Sequence, residues 1–197
     1  MQDAYDVMLA LKSDTFAGNP PILMSEWIAK AIQQNMGSLP FAYFFHPDTI
    51  LVPVPKSSLM LANTLWVPLR IATALAKRGF GRQVDSCLVR VTAVKKSAWS
   101  KPSERPKPRE HIASLSVQRR ISGPPPTEIL LVDDIITRGS TLLGAANRLA
   151  DAFPGARIRA FGAMTAISRP SDFVALSKSL IGTIQYRPST EDTIRRP

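Results

Sequence analysis

The sequence has few of the residues that build metal centres and covalent cross-links. Its 197 residues include one cysteine, Cys87, and two histidines, His46 and His111, which lie far apart. A single cysteine excludes an internal disulfide and a zinc site of several cysteines, and it is typical of a protein in the reducing cytoplasm. An isolated histidine is more often structural or solvent-exposed than a metal ligand.

Long apolar runs and a basic leader are absent as well. No stretch approaches the ~18 apolar residues of a membrane span. The sequence begins Met1-Gln2-Asp3, which is acidic where a secretory leader is basic. We therefore expect a cytoplasmic protein with no membrane partner. Because 45% of the residues are apolar and 20% are charged, we expect one folded domain, or one domain with an appended cap.

The charge is strongly of one sign, with 25 Lys and Arg against 15 Asp and Glu, a formal net charge of +10. Such a balance favours an anionic partner, but nucleic acid, phospholipid and phosphorylated metabolites satisfy the same electrostatics. The three Trp, three Tyr and eight Phe do not alternate with basic residues as they do in proteins that bind single-stranded nucleic acid. The net charge is therefore compatible with nucleic acid as a partner, but no motif indicates it.

The apolar pattern alternates between helices and short strands. Helices are predicted over residues 26–36, with Ser25 as the cap, and over 67–78, 111–117 and 141–153. Strands are predicted over residues 49–52, 86–91, 129–132 and 157–165. A strand, a helix and a strand of these lengths imply a right-handed crossover in a parallel sheet. The fold class is therefore predicted to be α/β.

Composition divides the chain into three parts: an N-terminal helical segment or hood (1–45), a core (46–185) and a polar tail (186–197). Inside the core, segment 92–110 is rich in Lys and Arg and contains three prolines. It is interpreted as a long mobile loop, and loops of this length are often functional lids. The alternative is a solvated run of charge without a gating role.

The most informative segment is Ile129–Thr141. Its apolar strand would bring Asp133 and Asp134 to the crevice where open α/β sheets bind ligands. These carboxylates can accept hydrogen bonds from vicinal hydroxyls or hold Mg²⁺ through water.

A turn of small residues follows the two acids and opens the next helix. Its residues are Thr137, Arg138, Gly139, Ser140 and Thr141. Unpaired amides, the helix dipole and three hydroxyls make such a turn a site for a phosphate monoester, and a glycine lets the backbone approach the ligand closely. Acids and turn together fit a sugar phosphate.

Other interpretations of this segment agree less well with the residues. Gly139 and Gly144 have the spacing of a Walker A loop, but Ala145 and Ala146 stand where Lys and Ser or Thr are required. No G-x-G-x-x-G sequence indicates a dinucleotide fold. A pair of aspartates also suits a phospho-acceptor site, which usually lies near the N-terminus and needs further partners. A polar turn without a ligand is the remaining alternative.

Residues 129–141 closely resemble the phosphoribosyl-diphosphate (PRPP) signature of type I phosphoribosyltransferases. The wider layout over about 50–166 resembles their ComF-like competence-protein branch, with a strand that ends in Pro53-Val54-Pro55 and a basic loop before the PRPP strand. The resemblance implies a parallel sheet flanked by helices, with a small hood from the two terminal segments. Two features depart from that branch: this chain cannot build its cysteine zinc finger, and Arg78-Gly79-Phe80 follows an intervening helix.

The resemblance also implies roles for individual residues. Asp133 and Asp134 would act as catalytic residues on the ribose hydroxyls and would hold Mg²⁺ indirectly, through water or PRPP. Residues 137–141 would hold the 5′-phosphate. The pyrophosphate loop, which in the family often contains a strained peptide bond, would be Lys56, Ser57 and Ser58. Two further catalytic residues, Lys101 and Arg105, would close over the pyrophosphate.

The function implied is transfer of a 5-phosphoribosyl group from PRPP, with Mg²⁺, to a nucleobase or amine, with release of pyrophosphate. The alternative is a non-catalytic sensor of PRPP or nucleotides, in a homodimer or larger complex, whose basic segments contact nucleic acid or an acidic protein. Aromatic residues of the hood can stack on a base, although such residues more often belong to a core. They are Trp27, Phe41, Tyr43, Phe44 and Phe45. No residue stands out as a general base.

Overall fold

The structure is a computed structural model that describes residues 2–95, 105–118, 124–166 and 178–196. In chain order its elements are α1 (Gln2–Ser13), β1 (Phe16–Ala17), β2 (Ile22–Leu23), α2 (Met24–Asn35), β3 (Ile50–Pro53), α3 (Val67–Ala76), β4 (Gln83–Val84), β5 (Leu88–Arg90), α4 (Pro108–Ser114), β6 (Leu115–Val117), β7 (Glu128–Ile136), α5 (Ser140–Ala152), β8 (Arg157–Thr165), β9 (Thr183–Arg187) and β10 (Asp192–Arg196). Short 3₁₀ helices at Met36–Ser38 and Ala42–Phe44 follow α2.

Within these described ranges, four strands form a parallel sheet in the order β4–β3–β7–β8. Ile50 of β3 lies beside Ile129 of β7, and Val132 of β7 lies beside Phe161 of β8. Three antiparallel pairs, β1–β2, β5–β6 and β9–β10, surround this sheet in the described part of the chain.

The two faces of the sheet belong to two separate apolar clusters. Side chains of successive strand residues point to opposite faces, so neighbouring positions enter different clusters. The first cluster joins the sheet to α1, α2 and α3 through Leu51, Leu130, Val132 and Phe161. The second joins it to α5, β5 and β6 through Ile50, Val52, Ile129 and Leu131. Burial on both faces explains the continuous apolar runs and confirms an α/β fold with helices flanking a parallel sheet.

The direction of winding changes between β3 and β7. From β3 the chain passes through α3 to β4 on one side, and from β7 it passes through α5 to β8 on the other. Helix α3 covers one face of the sheet and α5 covers the other. The carboxyl ends of β3 and β7 therefore flank the crevice in which open α/β sheets bind ligands.

Ser25 does not cap the second helix as predicted. Helix α2 begins at Met24, two residues before the predicted start, and Ser25 is buried inside it. Its amide and hydroxyl donate to the Asp14 carboxylate at 2.8 and 3.1 Å, and Arg70 pairs with the same carboxylate at 2.9 Å. The first turn of α2 is thus capped by a residue from outside the helix, which local sequence does not reveal.

Three predicted boundaries are wrong. Strand β7 is longer than predicted and includes the two acids, because pairing with β8 continues to Ile136. The predicted helix over 111–117 ends at Ser114, and the residues after it form β6, which pairs with β5. Residues 186–196 of the predicted polar tail are not a tail, since they belong to the β9–β10 hairpin. In the first two cases a partner strand distant in sequence decides the local structure, whereas β9 and β10 lie close together along the chain.

Helices α4 and α5 approach each other closely at Gly144. A Cβ atom added there would lie 2.6 Å from His111 Cβ and 3.1 Å from the Ile112 amide nitrogen. Both neighbouring atoms belong to or adjoin the backbone, so a methyl group displaces α4 rather than a flexible side chain.

We expect Gly144→Ala to lower the free energy of unfolding by about 1–3 kcal/mol, as overpacked sites do. In an exposed helix the same change would stabilise by about 1 kcal/mol. Gly155→Ala is the control, because nothing lies within 4 Å of a Cβ added there. Chemical denaturation decides between the two effects, and a Gly144→Ala protein as stable as the wild type would contradict the close approach.

Candidate functional site

Two interacting carboxylates occupy the carboxyl end of β7. Asp133 accepts a hydrogen bond from the Asp134 amide at 2.9 Å, and Asp134 accepts one from the Ile135 amide at 2.7 Å. Lys12 of α1 reaches the second oxygen of Asp134 at 3.0 Å. Burial raises the pKa of the Asp133 carboxyl well above its ordinary value, and repulsion from Asp134 acts in the same direction. The pair therefore disfavours a second negative charge and favours donors such as hydroxyls.

The turn after β7 presents the unpaired amides of a helix N-terminus. Gly139 adopts a positive φ of 89°, and α5 begins at Ser140. The Ser140, Thr141 and Leu142 amides donate to no acceptor within the described residues, whereas the Leu143 amide closes the first turn on Gly139 at 2.8 Å. These donors and the positive end of the helix dipole suit an anion.

A pocket opens at this turn. It is lined by Asp133 and by residues 135–142, and about 30 Å³ of it is open to the centre of a water molecule. That volume exceeds the ~15 Å³ needed for one bound water. One acid and the whole predicted phosphate turn thus share a single pocket.

The β9–β10 hairpin supports the turn from outside the pocket. Asp192 accepts from Ser140 Oγ at 3.1 Å and pairs with the Arg138 guanidinium, and Ile184 packs where a side chain at Gly139 would otherwise lie. No described hairpin residue lines the pocket. The polar groups of Arg138 and Ser140, predicted to hold phosphate, therefore hold the hairpin in this structure.

The predicted pyrophosphate loop reaches the same edge of the sheet. The Val54 amide donates to the Val132 carbonyl at 2.9 Å, which extends the β3–β7 pairing beyond Pro53 and brings the start of the loop with Lys56, Ser57 and Ser58 alongside β7. The peptide bonds of this loop are trans, because the cis bond among the described residues is Asn19–Pro20. The strained bond that the resemblance implied is therefore not a cis peptide here.

The basic segment 92–110 is described only in part. Lys101 lies outside the described residues, and Arg105 is partly buried just before α4. Lys107 and Arg109 pair with Glu191 of the hairpin at 3.1 and 3.3 Å, and both cations lower the pKa of that glutamate. The described end of the segment is thus fixed to the hairpin that supports the phosphate turn.

Most of the aromatic residues considered for base stacking belong to the core. Phe41 and Phe45 contact Phe161 with ring centroids 5.9 and 5.5 Å apart. Phe44 packs against the first apolar cluster. Tyr43 and Trp27 remain exposed, at 58% and 44%. The packing of the three phenylalanines confirms the core alternative, which leaves Tyr43 and Trp27 as candidates for stacking.

Sequence reasoning missed three residues that shape the site. Lys12 arrives from α1, and His111 arrives from α4 with Nε2 3.3 Å from Thr141 Oγ1. The third is Arg90, which contacts the Lys56 carbonyl. The hairpin was also missed, although Ile184 and Tyr186 alternate with polar residues before Pro188-Ser189, which is a hairpin signal.

The carboxylates fit a magnesium ion that arrives with its substrate. Mg²⁺ prefers oxygen ligands, keeps several waters and is often held by one or two carboxylates plus phosphate oxygens. Asp133 provides such oxygens at the pocket, and the neighbouring Asp134 carboxylate, which pairs with Lys12, lies next to it in the chain. Within the described ranges no three His, Cys, Asp or Glu side chains form a metal centre of their own. The described helices include none that is long and apolar enough to cross a membrane.

Comparisons with models of known protein families and with curated proteins find no match for this chain. The functional argument therefore depends on the geometry of the site.

We expect a histidine-dependent loss of stability in acid. Burial, aided by Arg90 and Arg138, lowers the pKa of His111 from 6.5 to about 4, so the folded protein holds a neutral imidazole where the unfolded chain is protonated. Stability falls as the pH drops from about 6.5 towards 4, by up to about 3 kcal/mol for this group.

Denaturation across this pH range should show the loss of folding stability in the wild type and not in His111→Gln. The exposed histidine provides the control, because His46→Gln should retain the acid sensitivity. If His111→Gln shows the same slope as the wild type, the buried neutral imidazole is not its source.

Proposed function

We propose that this chain is a phosphoribosyltransferase that uses PRPP and Mg²⁺ to transfer a 5-phosphoribosyl group to a nucleobase or amine. The observation that carries the proposal is the shared pocket at the end of β7, where Asp133 and the unpaired amides of α5 lie together. A ribose 5-phosphate carries both groups that this pocket suits, a phosphate monoester and vicinal hydroxyls. The winding change between β3 and β7 independently favours a ligand at this position.

The 5′-phosphate would bind at the start of α5. The amides of Ser140, Thr141 and Leu142 donate to it, together with the Thr137 and Thr141 hydroxyls. Arg138 contributes positive charge while its guanidinium remains on Asp192. Phosphate recognition thus depends mainly on backbone donors, which no side-chain substitution removes directly.

The ribose hydroxyls would donate to Asp133 and Asp134. The Lys12 side chain on Asp134 is 47% exposed, and an ion pair of that kind contributes only about 0–1 kcal/mol. A sugar can therefore share or displace it at little cost. The Lys56 ammonium and the Ser57 and Ser58 amides would face the pyrophosphate, and Lys101 and Arg105 would close over it from segment 92–110.

In the reaction the C1–O bond of PRPP breaks and pyrophosphate leaves with the bonding electrons. The acceptor nitrogen forms a bond to C1, and its proton passes to solvent. Positive charge develops on the ribose, so the carboxylates stabilise the sugar while the cationic loop stabilises the departing anion. When bound, Mg²⁺ neutralises part of the pyrophosphate charge. Exclusion of water by segment 92–110 would limit hydrolysis of PRPP.

Two measurements test the proposal. Calorimetric titration with PRPP and Mg²⁺ should show binding, and no binding at millimolar PRPP would end the proposal. Pyrophosphate release should then appear with at least one member of a panel of nucleobases and amines. PRPP binding without release for any acceptor would favour the sensor instead, as would salt-sensitive nucleic-acid binding. The Arg138 and Ser140 contacts with Asp192 are the structural observation that favours this second candidate.

We expect Asp133→Asn combined with Asp134→Asn to abolish turnover while the fold remains intact. Asp133→Asn alone should raise the free energy of unfolding at pH 7 by about 1 kcal/mol, because a partly buried, repelled carboxylate is replaced by a neutral amide. The raised pKa makes the wild type lose stability as the pH rises from the ordinary aspartate range through the folded-state pKa. Asp133→Asn should lack this loss.

Asp151→Asn, at an exposed position of α5, is the matched control and should change neither the turnover nor the free energy of unfolding. Pyrophosphate release and denaturation curves measure the two effects. A double variant with wild-type turnover would exclude the carboxylates from catalysis.

A further inference from the structure

A buried arginine lies behind the Lys56–Ser58 loop. Arg90 ends β5 and is 5% exposed. Its Nε donates to the Lys56 carbonyl at 2.9 Å, and its Nη1 donates to Ser114 Oγ at 2.5 Å. The loop is thus held on its main chain by a buried cation from another element.

The next carbonyl of the loop is held from the same side. The Val94 amide donates to the Ser57 carbonyl at 2.8 Å. In a trans peptide the carbonyl and the following N–H point in opposite directions. Holding both carbonyls towards segment 90–94 therefore turns the Ser57 and Ser58 amides away from it. Within the described part of the chain these amides have no acceptor, and consecutive free amides are a common anion site.

Stability alone does not account for Arg90. Its Nη2 is buried without a partner among the described residues, and an unpaired buried donor destabilises a fold. Burial lowers the pKa of Arg90 only to about 10, so its charge is kept at neutral pH. A well-packed apolar residue is often at least as stabilising at such a position.

Arg90 is also connected to the phosphate turn. Ser114 Oγ, which accepts from Arg90, donates to the His111 carbonyl at 3.2 Å. His111 Nε2 lies 3.3 Å from Thr141 Oγ1, and His111 and Ser114 are buried. Arg90 thus reaches the phosphate turn only indirectly, through Ser114 and His111, whereas it contacts the Lys56–Ser58 loop directly.

We propose that Arg90 is a positioning residue for the pyrophosphate group, which it serves by fixing the Lys56 carbonyl so that the Ser57 and Ser58 amides face the substrate. The inference depends on the proposed function and adds a residue to it. Arg90 itself does not contact substrate. Its effect is therefore specific to the ligand that those two amides bind.

Calorimetry of Arg90→Lys and Arg90→Met with two ligands tests this role. The ligands are pyrophosphate and ribose 5-phosphate, each with Mg²⁺. Lysine keeps the charge but cannot reach both acceptors in the fixed geometry of a guanidinium. We expect the Kd for pyrophosphate to rise about 10-fold in Arg90→Lys and further in Arg90→Met, the loss typical of a charged hydrogen bond. The Kd for ribose 5-phosphate should stay within about twofold.

The matched control is Arg148→Lys. Arg148 also donates its Nε to a main-chain carbonyl, that of Ile112 at 2.7 Å, but away from the loop, so both affinities should stay at the wild-type level. If neither Arg90 variant folds, Ser114→Ala removes the partner of Nη1 and should give a smaller loss for pyrophosphate alone.

Unchanged pyrophosphate binding, or equal weakening of both ligands, would overturn the inference and leave the proposed function standing. If the wild-type protein binds none of the three ligands, PRPP, pyrophosphate and ribose 5-phosphate, the proposed function is excluded as well.

Discussion

The site depends on the parallel pairing of β3 with β7. Ile50 lies beside Ile129 and Pro53 beside Val132, and the Val54 amide continues the pairing beyond the strand. A shift by one residue would exchange the side chains that pack in the two clusters, so the close fit of each cluster fixes the register. That register brings the start of the loop after β3 alongside the last residue of β7 before the acids, so the two segments that would hold opposite ends of one substrate leave the same edge of the sheet.

Several polar groups at this crevice lack partners or repel each other. Asp133 is partly buried beside another carboxylate, and among the described residues the first amides of α5 find no acceptor and Arg90 Nη2 finds no partner. Each destabilises the fold, and the extensive burial of the two apolar clusters offsets them. Local departures of this kind, concentrated at one edge of a sheet, are typical of a functional site. The position of these groups agrees with the point between β3 and β7 at which the direction of winding changes. The order of the strands locates that point independently.

The C-terminal hairpin and α4 form a brace around the phosphate turn. Asp192 holds Arg138 and Ser140, Ile184 packs on Gly139, and Glu191 joins the hairpin to the start of α4. The brace restricts the turn without entering its pocket, so under the proposed function the turn would need little rearrangement to bind an anion. Preorganisation of this kind reduces the entropy lost on binding.

Local sequence determined the parts whose stabilising contacts lie close along the chain or in a continuous apolar run. Strand β8 matches its prediction, α3 begins at the predicted Val67, and the acids with the following turn are recognisable from Ile129–Thr141. Tertiary structure alone decided the cap of α2, the extension of β7 past Asp134, and the approach of Lys12, His111 and Arg90 to the site. Each of these depends on a hydrogen-bond or packing partner distant in sequence, and such a partner is fixed only after the two apolar faces of the sheet have been buried.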